Sequence, residues 1–171
     1  MKNILITGGC GFIGSHLAEY LLEKNFNVTV FDRYNSNNNW GNLEYSKYKK
    51  DIKVILGDVR DYDSVNSSIK KIDTIFHLAA LIGIPYSYIS PLAYLKTNVE
   101  GTYNVLEAGK QNNVNQIIVT STSEAYGSAK YIPIDENHTL NAQSPYAASK
   151  IAADHLALSY NKSFGTNIKI I

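Results

Sequence analysis

Ile4-Leu5-Ile6-Thr7-Gly8-Gly9-Cys10-Gly11-Phe12-Ile13-Gly14 decides the fold, together with the helical pattern after it and the stretch Val28-Thr29-Val30-Phe31-Asp32. An apolar strand runs into clustered glycines, a helix opens on the last of them, and a second apolar strand ends in an acid. That is the sequence form of a βαβ unit that binds a dinucleotide. Gly8 and Gly11 make the tight turn and let backbone N–H groups approach a pyrophosphate. Gly14 lets the helix lie close to the strand. The pyrophosphate then sits at the helix N-terminus, where unpaired N–H groups and the dipole favour negative charge. Asp32, 18 residues past Gly14, is placed to accept hydrogen bonds from ribose hydroxyls.

The bulk properties narrow the classes. The chain has 171 residues, enough for one domain with a real core, and a net charge of +1 with no long run of one sign. No nucleic-acid footprint is visible in that balance. The single cysteine, Cys10, excludes an intrachain disulfide and fits a reducing, cytoplasmic compartment. Its place in the glycine turn reads as a small neutral side chain rather than a redox group. No apolar stretch approaches the ~18 residues of a membrane span. Strand pattern begins at once, which leaves no room for a signal peptide. Metal-ligand spacing is not evident.

The rest of the chain alternates strands and helices. Residues 2–7 are the first strand, 12–24 an amphipathic helix closed by Lys24 and Asn25, and 27–32 the second strand. Residues 33–50 begin with asparagine-rich loop chemistry and then predict a short helix from Leu43 to Tyr48. Trp40 either covers the adenine side of the site or packs a satellite cluster, with packing favoured. Residues 52–57 are the third strand, with Asp58 at its end placed for an adenine amino group and Asp61 placed to cap a helix over 62–70. Residues 72–77 are the fourth strand, with His77 read as a packed strand-end residue. Leu78-Ala79-Ala80 leaves room for a flat ligand, and Leu81 to Tyr88 reads as a loop. Ser90 and Pro91 look like an N-cap and N1 pair opening a long helix to about Asn112, inside which Asn98 kinks the helix or bonds backbone near the site. Residues 116–120 are the fifth strand and Ser121 to Gly127 a polar loop; 128–143 are irregular. Ser144-Pro145 opens another helix, and 167–171 are a sixth strand. This alternation predicts an α/β doubly wound parallel sheet, a Rossmann fold with strand order 3-2-1-4-5-6, over one unit, residues 1–171.

Tyr146 and Lys150 are four apart on a predicted helix and share a face. A nearby ammonium and an oxidised nicotinamide ring both favour a phenolate over a phenol. A tyrosine so placed can take the proton from a hydroxyl while the attached carbon gives up hydride. The spacing alone is weak evidence; with the glycine turn and the hydroxyls after the fifth strand it becomes strong.

These motifs together resemble the extended short-chain dehydrogenases/reductases, the nucleotide-sugar epimerases and dehydratases. The matching residues are Thr7 to Gly14, Asp32, Gly57-Asp58-Val59, His77-Leu78-Ala79-Ala80, Asn98, Ser121 to Gly127, and Tyr146 with Lys150. The resemblance implies NAD as cofactor, held by Gly8, Gly11, Phe12, Ile13, Gly14, Asp32, Arg33, Asp58, Val59, Leu78, Ala79, Ala80, Asn98, Ser121, Tyr146 and Lys150. It implies that Lys150 bonds the nicotinamide ribose and that Thr122 holds a substrate hydroxyl beside Tyr146. Asp32 disfavours the 2′-phosphate of NADP, although Arg33 stands next to it. Thr122-Ser123-Glu124 resembles the triplet of the sugar 4,6-dehydratases, where an acid removes the C5 proton after oxidation at C4. The implied catalytic set is Thr122, Ser123, Glu124, Tyr146 and Lys150, acting on a UDP- or GDP-linked N-acetylglucosamine or related hexose. Ser123 stands where some dehydratases carry Asp, so either Glu124 serves twice or Ser123 relays the proton. Ala80 to Tyr88, Ser121 to Gly127 and Gln143 to Tyr146 look like the N-acetylglucosamine-nucleotide 4,6-dehydratases of legionaminic-acid biosynthesis.

Alternatives within the resemblance are an epimerase and a UDP-glucuronate decarboxylase. Outside it stands an NAD-binding regulatory module, which needs none of Tyr146, Lys150 and Glu124. The resembled family continues into a C-terminal lobe that holds most of the nucleotide, and it implies a homodimer at full length. The chain ends on the apolar residues Ile168 to Ile171, which reads as an N-terminal fragment expected to bind cofactor poorly and to turn over nothing alone.

Overall fold

Alternation along the strands sorts the apolar residues to two faces. Leu5, Phe31, Ile75 and Ile117 are buried on one face, against Val65, Val105, Leu106 and Ala157 from three helices. Ile4, Ile6, Val28 and Val30 are buried on the other, against Ala18, Leu21, Leu43 and Ile52. A strand covered on both faces is apolar throughout, which is why residues 4–6 form an unbroken run. The computed structural model that shows this describes residues 1–171.

Six strands form one sheet in the order β3-β2-β1-β4-β5-β6, as the strand and helix alternation predicts. They are β1 (Asn3–Thr7), β2 (Asn27–Asp32), β3 (Lys53–Leu56), β4 (Thr74–His77), β5 (Gln116–Val119) and β6 (Ile168–Ile170). Every neighbouring pair is parallel. The register sets Thr7 beside both Phe31 and His77, so the C-terminal ends of β1, β2 and β4 lie level. The connection from β1 leads to β2 on one side, while β4 flanks β1 on the other. Between them the strand order reverses, and that is where ligands of open α/β sheets bind.

The helices are α1 (Phe12–Glu23), α2 (Tyr62–Ser68), α3 (Ile84–Ile89), α4 (Pro91–Tyr94), α5 (Gly101–Gln111) and α6 (Pro145–Phe164). Asp61 caps α2 by accepting from the N–H groups of Asp63 and Ser64. The Ser144 hydroxyl accepts from Ala147 N at 3.0 Å and opens α6, which ends at Gly165 in the left-handed region (φ 67°). None of the helices is long and apolar enough to cross a membrane.

Three local expectations are corrected. The stretch expected as a loop, Leu81 to Tyr88, enters α3 at Ile84, because Pro85 in the first turn is compatible with helix and Ser87 is buried. The helix expected from Leu43 to Tyr48 is instead a 3-10 turn at Gly41–Leu43 followed by turns, since only Leu43 is drawn into the core. Ser90 precedes Pro91 as expected but its hydroxyl makes no cap bond. The long helix does run from Pro91 to Gln111, with its middle, Leu95–Glu100, widened into a π-helix. Trp40 packs with Cys10 and Tyr48 against the second core cluster, and the Lys49 ammonium lies 5.2 Å from its ring centre.

Candidate active site

The glycine turn is built by two tight approaches. Gly8 sits at φ +73°, and a Cβ there would stand 2.8 Å from Ala79 N on the neighbouring β4 loop. Gly14 opens the first turn of α1, where a Cβ would stand 2.4 Å from Gly8 O. The absent side chains let α1 begin against the end of β1, with its free N–H groups facing the crevice. Asp32 is anchored across the same turn: Oδ2 accepts from Cys10 N and Oδ1 from Arg33 N, both at 2.7 Å. Burial pushes the Cys10 thiol up to about 12, with the Asp32 carboxylate adding to the shift. The thiol is therefore neutral, in keeping with a space-filling role.

The crevice is a cleft of about 760 Å³ at the C-terminal ends of the strands. Its walls bring together Gly8, Gly11, Phe12, Ile13, Gly14, Asp32, Arg33, Asp58, Val59, Leu78, Ala79, Ala80, Ser121, Thr122, Ser123, Glu124, Tyr146 and Lys150. These are the expected site residues with one exception. Asn98 is only 1% exposed and lies behind the wall. Its amide accepts from Leu81 N (2.8 Å) and donates to Leu81 O and to Ser149 Oγ (both 2.9 Å). Asn98 thus shapes the wall from within the π-helical turn, as its reading as a helix distortion that bonds backbone anticipated. It is corrected as a direct lining residue.

Several wall residues were not anticipated: Arg60, Leu81, Ile82, Ile84, Thr97 and Thr120. Arg60 had a sequence signal, the spacing Asp58-x-Arg60. Its guanidinium donates twice to the Asp58 carboxylate, from Nε at 2.9 Å and Nη2 at 2.6 Å. That pairing holds the Asp58 carboxyl below the usual carboxylate range. Ile82, Ile84 and Thr97 had no such signal, since only the folding of α3 and the π-helix brings them to the rim.

Behind the wall the hydrogen bonds have a definite direction. Ala79 N donates to Thr7 Oγ1 (3.2 Å), and Thr102 Oγ1 donates to Asn98 O (2.6 Å). Each hydroxyl has one proton. Thr102 Oγ1 therefore accepts from His77 Nε2–H (3.0 Å), and Thr7 donates to His77 Nδ1 (2.7 Å). His77 is a neutral imidazole locked in one tautomer. Burial and then the Lys150 charge push it down to about 3. The strand-end packing role holds.

At the far end of the cleft, Tyr146 and Lys150 rise from the first turns of α6. The Tyr146 ring stands edge-on to Tyr94, with centres 6.2 Å apart at 75°. Lys150 is only 6% exposed, and its Nζ donates to Thr120 O at 2.6 Å. Burial lowers its pKa, and the Asp154 charge opposes that shift. Facing them, Thr122 caps a 3-10 turn over Ser123–Ala125, its Oγ1 accepting from Glu124 N at 3.3 Å. The turn leaves Glu124 exposed on the cleft wall. A phenol, an ammonium, a hydroxyl and a carboxylate thus share one end of a cleft whose other end is a helix N-terminus with an acid beside it. Such a cleft can exchange protons at one end and receive an anion at the other.

Comparison with known proteins agrees with this construction. The profile described as GDP-mannose 4,6 dehydratase matches residues 5–171. The dTDP-D-glucose 4,6-dehydratase of Dictyostelium discoideum is 36% identical over 179 residues, covering 96% of this chain and 41% of that one. Among solved structures, a dTDP-glucose 4,6-dehydratase from Streptomyces venezuelae crystallised with NAD superposes with a TM-score of 0.90. It is 32% identical and is matched over 98% of this chain and 54% of its own. The UDP-N-acetylglucosamine 4-epimerase from Methanobrevibacter ruminantium superposes with a TM-score of 0.89 at 33% identity, over 99% and 53%. The chain spans about half the length of these relatives. The motifs, the strand order and the match over residues 5–171 agree: the chain belongs to the GDP-mannose 4,6-dehydratase family of the extended short-chain dehydrogenases/reductases.

Proposed function

We propose that this chain is the NAD-binding half of a nucleotide-sugar 4,6-dehydratase. The observation that supports the reading best is the carboxylate of Glu124 lining the same cleft as Tyr146 and Lys150. The residues fit NAD: without a Cβ at Gly8 and Gly14 the turn packs tightly enough to start α1 at the end of β1, so Gly11, Phe12 and Ile13 line the cleft where a helix N-terminus can receive a pyrophosphate. Asp32 takes the adenosine ribose, Asp58 with Arg60 borders the adenine, and Lys150 takes the nicotinamide ribose. When bound, NAD supplies the hydride acceptor for C4 of the sugar and the donor that returns hydride to C6.

The chain's own groups move the protons. Tyr146 takes the proton of the C4 hydroxyl as that carbon is oxidised, and the Lys150 ammonium stabilises the resulting phenolate. Thr122 holds the same hydroxyl by hydrogen bond. The C4 ketone makes the C5 hydrogen acidic, and Glu124 removes it. The C6 hydroxyl leaves as water on receiving a proton, from Glu124 itself or through Ser123. As hydride returns to C6, C5 takes up a proton by way of Glu124 and C4 stays a ketone. Tyr146 passes its proton to solvent. The two protons removed equal the one given to the leaving water and the one given to C5, so the chain ends each cycle in its starting protonation state.

The test is the mass of the product formed by the whole protein from UDP- and GDP-linked hexoses, including N-acetylglucosamine. Loss of one water supports the dehydratase. An unchanged mass with inverted configuration assigns the epimerase chemistry that several relatives carry in their names, and loss of carbon dioxide assigns a decarboxylase. In the same assay Tyr146→Phe lowers turnover by roughly 10²–10⁴-fold, the usual contribution of a positioned acid–base group. Undiminished turnover by that variant would overturn the role of Tyr146.

A further inference from the structure

One buried side-chain oxygen in the chain has no hydrogen-bond partner, Oδ1 of Asp154. Asp154 is 8% exposed, on the buried face of α6. Its other oxygen, Oδ2, accepts the Ser121 hydroxyl. One helical turn earlier on the same face, Lys150 donates to Thr120 O at 2.6 Å. Consecutive residues at the exit of β5 are therefore gripped by two groups of opposite charge from α6, four residues apart. The Ser121 bond is the carboxyl's sole partner among the side chains and backbone around it. A buried carboxyl with half its acceptors unused is costly unless a positive charge lies near.

We propose that Asp154 is a positioning residue for Lys150: it provides the counter-charge that keeps the lysine an ammonium at the end of the cleft, and it is itself aimed by Ser121. The inference rests on the role given to Lys150 above and extends it to a residue outside the cleft wall. The groups that face the lysine are few. His77 on β4 is neutral and fixed by Thr7 and Thr102. Tyr146 on α6 and Tyr94 on α4 stand in edge-on contact, and Glu124 lies across the cleft. Among the charges acting on Asp154, Lys150 opposes the rise of its pKa more than His155, the next residue of α6, does. Burial lowers the Lys150 pKa and raises that of Asp154, and the attraction between the two opposes both shifts. Removing the carboxylate therefore leaves the burial of Lys150 uncompensated.

The experiment is competitive labelling of Lys150 with acetic anhydride across pH, read by mass spectrometry on the full-length protein and its variants. Asp154→Asn keeps the size and an acceptor for Ser121 but not the charge. It lowers the pH midpoint of Lys150 labelling by about one unit, at the low end of what a neighbouring opposite charge contributes. Asp154→Glu restores the native midpoint. A native midpoint in Asp154→Asn overturns the proposal. Should that variant fail to fold, Ser121→Ala strips the carboxyl of its donor and moves the midpoint in the same direction by less; an unmoved midpoint there overturns it equally. Labelling needs no substrate. Failure to dehydrate a sugar would sink the reading of the reaction and leave this result standing, and an unmoved midpoint would do the reverse.

Discussion

Replacing Gly14 by alanine sets two physical effects against each other. In the first turn of a helix, alanine is favoured over glycine by up to about 1 kcal/mol, so local propensity predicts a stabilised protein. The tertiary structure predicts the opposite. The added Cβ would stand 2.4 Å from Gly8 O and 2.6 Å from Gly9 Cα, both backbone atoms of the turn that α1 leans on. Ordinary contact requires about 1 Å more, and α1 must move off β1 by that amount. Overpacking of this kind costs roughly 1–3 kcal/mol, which leaves a net loss of up to about 2 kcal/mol after a helix gain of about 1 kcal/mol. For a chain of this size that is a fall of up to roughly 8 °C in melting temperature. The assay is urea or thermal unfolding followed by the fluorescence of Trp40, the only tryptophan, which packs in the cluster that α1 covers. Gly165→Ala is the matching control: φ is +67° and nothing lies within 4 Å, so it carries backbone strain without a clash. Cofactor affinity separates the two, because only Gly14→Ala displaces the helix N-terminus from the crevice, lowering NAD affinity tenfold or more. A Gly14→Ala protein as stable as the native one, with unchanged NAD affinity, would refute the close-approach argument.

Two more perturbations have outcomes that the structure sets. His77 is neutral when folded, pushed down to about 3 from an ordinary 6.5. Below the ordinary value the unfolded chain binds a proton that the folded one does not, so stability is intact at neutral pH and falls as pH drops from 6.5 toward 3. The loss is about 2 kcal/mol by about pH 5, and His77→Gln, though less stable throughout, shows a flatter dependence in unfolding titrations over that window. Asp61→Ala removes the acceptor for Asp63 N and Ser64 N and lowers the unfolding free energy by about 1 kcal/mol, whereas Asp63→Ala, which caps nothing, leaves it within roughly 0.5 kcal/mol.

The sheet, its strand order and most of the cleft are legible in the sequence because their signals are local. They are the unbroken apolar run of Ile4 to Ile6, glycines where only glycine fits, caps at Asp61 and Ser144, and the four-residue spacing of Tyr146 and Lys150. Each is a property of a few neighbouring residues, and the right-handed crossover rule converts the alternation of elements into one topology. Other features depend on residues distant in the chain, and only packing sets them. Asn98 is the clearest case. Its position in a helix marks it as unusual, but only the approach of Leu81 and Ser149 shows that its amide is spent inside the wall. Ser87, in a stretch of loop-like sequence, is drawn into helix by burial beneath α6, which no pattern within residues 81–88 contains. The direction of the proton chain through His77 needs Thr7, Thr102 and Asn98 brought from three elements to one point. Asp154 carries no motif signal, because an acid on a helix is ordinarily a solvated one. Its burial against Ser121, 33 residues away, makes it different, and burial is a property of the packed chain rather than of the residue.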